Sequence, residues 1–163
     1  MSRINQTYLD KLSYRKTVIN NVVKDMFIPR LVEIRKKHGN PNNELMIFDW
    51  DDTLTTKFGV VKVDVIKAAS EKYALSIASW SDKSYVLRLL HELGLYDRFD
   101  TIRVQRYGKD QMVMEILEEY VEIYGILPNR IIFVDDMKMA RDEVKLTHPD
   151  VICIHPDNVW RYL

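Results

Sequence analysis

Two aspartates one residue apart, Asp49 and Asp51, follow the apolar run Leu45–Phe48 in the stretch LMIFDWDDTL, and Asp52 and Thr53 adjoin them. Asp135 and Asp136 end a second apolar run, RIIFV, in the same manner. Crowded carboxylates resist joint ionisation, so such a set implies a bound cation, a raised pKa or a solvated turn. A hard divalent ion suits oxygen donors: Mg²⁺ uses one or two carboxylates together with waters and phosphate oxygens. The four histidines, His38, His91, His148 and His155, show no ligand spacing, which argues against zinc. With a cation clamping a phosphoryl group, one carboxylate can attack phosphorus while another protonates the leaving oxygen and then deprotonates water. Asp49 and Asp51 supply that pair. Charge developing on the equatorial oxygens calls for fixed donors, and Ser79 and Lys109 supply a hydroxyl and an ammonium, with Arg106 and Lys83 as alternative cations. Trp50 and Trp80, each one residue past a candidate site position, are either core aromatics or contacts for a substrate; Asp52 and Thr53 at the polar turn are further candidate substrate contacts. Asp135 and Asp136 can also serve as a helix N-cap without losing the first role.

The elements that must position these side chains are short β-like runs at 45–48, 74–79, 101–105, 130–134 and 151–155. Helical patterns fill the intervals between the later four: 82–93 before Gly94, 109–124 before Gly125, and 137–146 before Pro149. Strands alternating with helices predict crossover connections and a mainly parallel sheet covered on both faces. Ligands of such sheets collect at the carboxyl ends of the strands, where the aspartates, Ser79 and the approach to Lys109 all fall.

The succession FDWDDTL, LSIAS, GKDQ and IIFVDD resembles the four sequence motifs of the haloacid dehalogenase superfamily, over roughly residues 44–155. The resemblance implies a Rossmann-like three-layer α/β/α sandwich with a small flap after the first strand, placed here at TTKFGVVKVD. It also implies Asp49 as nucleophile and Asp51 as general acid/base, with the main-chain carbonyl of Asp51 on Mg²⁺. Ser79 becomes the phosphate-binding hydroxyl, Lys109 the motif-three ammonium, and Asp136 the direct metal ligand supported by Asp135. Dehalogenases and phosphonate-cleaving members lack an aspartate two positions after the nucleophile, whereas phosphatases and mutases have it, so Asp51 implies phosphate-ester chemistry. About twenty residues separate Leu54 from the second strand, too few for a helical cap, which implies an open site suited to bulky or macromolecular phosphates. YGILPNRIIFVDD looks most like the magnesium-dependent phosphatase branch. The chain differs from that branch at Asp52, where relatives often carry Gly, Tyr or Asn, and in its N-terminal helical segment.

The whole chain bounds these readings. Its 163 residues, 47% apolar, fit one globular core at 44–163 preceded by a helical arm and linker at 1–43. In the arm, Tyr8, Leu12, Ile19, Val22, Val23 and Met26 recur at helical spacing. Residues 1–38 carry nine Lys or Arg against three Asp or Glu, so a basic arm balances an acidic body. The arm either contacts nucleic acid, as a polynucleotide 3′-phosphatase would require, or packs on the body or on a second copy. A phospho-receiver domain also combines an acidic pair, a phosphorylated aspartate, a hydroxyl and a lysine, but there the acidic pair comes first. No run reaches the roughly 20 apolar residues of a membrane helix, and the first residues lack a secretory h-region, which predicts a cytoplasmic protein with no membrane partner. The single cysteine, Cys153, reads as a core residue in a reducing compartment.

Overall fold

A computed structural model describes residues 40–163, so the predicted N-terminal helices and their basic charge lie outside the described residues. Five strands form one parallel sheet: β1 (Glu44–Phe48), β2 (Ala74–Ser79), β3 (Thr101–Val104), β4 (Arg130–Val134) and β5 (Ile152–Ile154), in the order β3-β2-β1-β4-β5. β1 is central, and Phe48 pairs with Ile77 of β2 on one side and Val134 of β4 on the other. A strand hydrogen-bonded on both edges and covered on both faces must be apolar throughout, which is why ELMIF shows no polar alternation. Its side chains still alternate in direction. Met46 and Phe48 join one core with Val65, Ile66, Val86 and Leu90, while Leu45 and Ile47 join another with Met112, Val113, Ile116 and Val144. The chain therefore folds as the three-layer α/β sandwich that its motif order implies.

Among the described residues the α-helices are α1 (Val63–Ser70), α2 (Lys83–Glu92), α3 (Lys109–Tyr124) and α4 (Lys138–Thr147). α1 and α2 cover the first core, α3 and α4 the second. Asp82 caps α2 by accepting from the Tyr85 amide at 2.8 Å, and α3 stops at Gly125, whose φ of +76° suits a residue without Cβ. α1 was not foreseen. The whole of TTKFGVVKVD reads as a flap in the sequence, yet the flap closes earlier, with an antiparallel bridge between Thr55 and Val61, and α1 begins at Val63. An eight-residue helix holds too few turns to announce itself by periodicity, but it carries the crossover from β1 to β2. β3 and β5 are also shorter than predicted.

A receiver-type domain has the strand order 2-1-3-4-5, so the observed order sets that alternative aside. Before β1, the side-chain amides of Asn40 and Asn43 donate to the Tyr120 hydroxyl at 2.6 Å and the Leu127 carbonyl at 2.9 Å. The chain thus joins the sheet at the edge opposite the carboxyl ends of the strands. Cys153 is half-buried, and burial pushes its thiol up to about 11. Among the described residues no helix is long and apolar enough to cross a membrane.

Candidate active site

β1 has neighbours on both sides, and the crossovers run away from it in opposite directions, leaving a crevice where it lies beside β4. Asp49 stands at that point. Its amide donates to the Val134 carbonyl at 2.9 Å, extending the ladder by one residue and holding the side chain against β4. The chain then turns sharply: the Trp50 carbonyl accepts from the amides of Thr53, Leu54 and Thr55. Asp52 takes a φ of +57°, a left-handed conformation that Asp, Asn and Gly adopt more readily than other residues. An aspartate at this position is compatible with that geometry.

Of the two readings open for the first tryptophan, the structure takes the core one: Trp50 is fully buried beside Phe48 and Leu54 and anchors the turn from below. Trp80 is half-buried; its indole N–H donates to the Tyr107 carbonyl at 2.7 Å, and its ring centroid lies 4.9 Å from Lys109 Nζ.

Lys109, the first residue of α3, is buried, with its ammonium among the carboxylates. It donates to Asp49 Oδ1 at 3.0 Å, Asp135 Oδ2 at 2.8 Å and the Ala78 carbonyl at 2.9 Å. Those three bonds use all three ammonium protons. Of the cations weighed in the sequence, Lys109 is the one that reaches this cluster; Lys83 and Arg106 are exposed.

The acidic pair at the end of β4 divides its work. Asp135 is fully buried with both oxygens engaged, Oδ2 by Lys109 and Oδ1 by the Met137 amide at 2.9 Å. The second bond is a local turn rather than a helix cap, since the N-cap of α4 is Met137. Asp136 is half-buried, its Oδ1 3.4 Å from the Thr53 hydroxyl, which also stands 3.4 Å from Asp49 Oδ2 and accepts from the Asp136 amide at 3.2 Å. Thr53 thus ties the turn after β1 to the turn after β4, a bridging place its sequence position did not reveal. Arg141 was missed altogether. One guanidinium nitrogen donates to the carbonyls of Asp135 and Asp136, at 2.8 and 3.0 Å, and fixes their loop. Its only signal in the sequence is its place one turn into the helix after the pair.

Asp49, Asp135 and Asp136 each offer an oxygen within 4.8 Å of the others. Burial pushes the Asp49 carboxyl up to about 7, opposed by the Lys109 ammonium and reinforced by the negative charge of Asp135. Burial likewise raises Asp135, again against Lys109. Once all three are ionised, the carboxylates exceed the one ammonium by two negative charges, and all donors are hard oxygens, so the set fits a divalent ion such as Mg²⁺. Ser79 ends β2 on the same rim, buried, with its Oγ accepting from the Ser81 amide at 3.1 Å. Asp51 and Asp52 are exposed in the turn after β1.

The strand order makes this a Rossmann-like α/β fold, with an acidic cluster and a buried lysine at its switch point. In that fold the chain is similar to a haloacid dehalogenase-like family hydrolase from Streptococcus pneumoniae, at 14% identity over 72% of this chain and 97% of that one, with a TM-score of 0.51. No family model matches the sequence, and no curated protein matches it either.

Proposed function

We propose that this protein is a Mg²⁺-dependent phosphatase of the haloacid dehalogenase kind that hydrolyses phosphate monoesters through an aspartyl phosphate on Asp49. The observation that carries this reading is the meeting of Asp49, Asp135 and Asp136 around the buried ammonium of Lys109. The carboxylates of Asp49 and Asp136 and the main-chain carbonyl of Asp51 would hold the ion, with Asp135 in support. Bound there, Mg²⁺ supplies neutralisation of charge on the phosphoryl oxygens.

The steps belong to the chain's own residues. An Asp49 carboxylate oxygen attacks phosphorus in line, the bond from phosphorus to the alcohol oxygen breaks, and Asp51 gives that oxygen its proton. Water then attacks the phosphorus of phospho-Asp49 while Asp51 takes its proton; the bond to the Asp49 oxygen breaks, releasing inorganic phosphate and restoring both carboxyl groups. Attack needs Asp49 ionised, which its burial opposes and the Lys109 contact favours. Exposure lets Asp51 swing between alcohol and water; the Ser79 hydroxyl steadies the transferring group, and the Lys109 charge acts on it through space, its protons being held by Asp49, Asp135 and the Ala78 carbonyl. The β1–β2 crossover consists of the short flap and α1, and the β3–β4 crossover of α3. Such short connections support access by a bulky phosphorylated substrate.

The test is hydrolysis of an aryl phosphate with Mg²⁺ and with excess chelator. Turnover should require the metal and fall at least about 10³-fold in Asp49→Asn. Undiminished turnover in chelator, or in that variant, would remove the proposal.

A further inference from the structure

We propose that Trp80 is a positioning residue that holds the Lys109 ammonium in place for catalysis, an assignment that rests on the phosphatase reading above. Lysine is a flexible four-carbon stem ending in a point charge, so burying it does not by itself fix where the charge stands. Its three hydrogen bonds run to Asp49, Asp135 and the Ala78 carbonyl, and a ring face adds a fourth side to that cage. Trp80 presents its ring face to the same ammonium at 4.9 Å, close enough for cation–π attraction, with the Phe133 ring at 5.9 Å.

The indole has a second hold on the lysine. Its N–H donates to the carbonyl of Tyr107, two residues before Lys109, while the Gln105 amide donates to the Ser79 carbonyl at 3.0 Å. Both bonds fasten the β3–α3 connection to the end of β2. The start of α3 is therefore set from Trp80 through the backbone, and its charge through the ring. Tyr107 is held in turn, its hydroxyl donating to Glu115 Oε2 at 2.8 Å one turn and more along α3. A side chain with its N–H committed to a backbone carbonyl and one ring face to a buried ammonium is placed to hold the lysine.

The experiment measures kcat and KM for an aryl phosphate in Trp80→Leu and Trp80→Phe, with denaturation midpoints for the same proteins and for Lys109→Met. Trp80→Leu loses both ring face and N–H, and its kcat should fall about tenfold with KM within about twofold, because the ammonium acts on charge that develops in the transition state. Trp80→Phe keeps a face and should recover most of that loss. In the double variant Trp80→Leu/Lys109→Met, the midpoint should shift by less than the two single shifts together, since the contact can be lost only once. Unchanged kcat in Trp80→Leu, a rise in KM alone, or strictly additive midpoint shifts would each overturn the assignment while leaving the phosphatase reading intact. A wild-type protein that hydrolyses no phosphomonoester in Mg²⁺ brings down that reading, and the positioning role of Trp80 in that reaction with it.

Discussion

Asp49 is the residue on which chemistry and stability pull against each other. Without metal its carboxyl sits at about 7 when folded, against about 4 in an unfolded chain. Between those values the folded protein binds the extra proton, so stability is present at low pH and is lost as pH rises towards 7. An asparagine at this position carries no charge to bury. In chelator at pH 8, Asp49→Asn should therefore be more stable than wild type, on the order of 1–3 kcal/mol, with the gap closing at pH 4; urea denaturation at both pH values measures it. The acidic pair should separate in the opposite sense. Asp136→Ala removes a half-buried carboxylate and should weaken Mg²⁺ binding about tenfold or more, with a small effect on stability. Asp135→Ala takes a partner from the buried Lys109 ammonium and should cost about 3 kcal/mol. Calorimetric Mg²⁺ titration and urea denaturation of the two variants distinguish these effects.

At the scale of elements, the strands act as rails whose ends deliver the site. β1 and β4 lie side by side, so the residues following Phe48 and Val134 emerge together, and α3 brings Lys109 up from the adjoining crossover. The rails and the chemistry separate in experiment. Gly125 closes α3 far along the chain from Lys109, and a Cβ there would meet nothing within 4 Å, so only its φ of +76° opposes a side chain. Gly125→Ala should cost about 1 kcal/mol in denaturation while kcat stays as in wild type. The long strands and α3 were legible because their apolar runs and stop signals are local. α1 was not, since its eight residues become helical by packing Val65, Ile66 and Ala69 against the core rather than by a pattern of their own.

At the scale of the described residues together, folding assembles the carboxyl groups of Asp49, Asp135 and Asp136 and the ammonium of Lys109 from segments as distant in the chain as those of Asp49 and Asp136. An ion that binds only this assembled state must stabilise it: at one hundred times its dissociation constant, Mg²⁺ should add about 2.7 kcal/mol. The midpoint gain should grow from pH 5 to pH 8, because the ion must displace the proton that burial keeps on Asp49. Thermal melts over a grid of Mg²⁺ and pH would show this, and a gain independent of pH would count against Asp49 as a ligand. The sequence by itself determined that apolar runs end in carboxylates, a hydroxyl and a lysine-bearing turn, because strand patterning and residue chemistry are properties of neighbours along the chain. Tertiary structure alone decided that Lys109 and not Lys83 or Arg106 meets the aspartates, that Trp50 turns inward while Trp80 faces the lysine, and that Asp135 is pinned while Asp136 is less constrained. Those outcomes depend on strand order, register and the direction each side chain leaves its backbone, which arise only when distant segments pack.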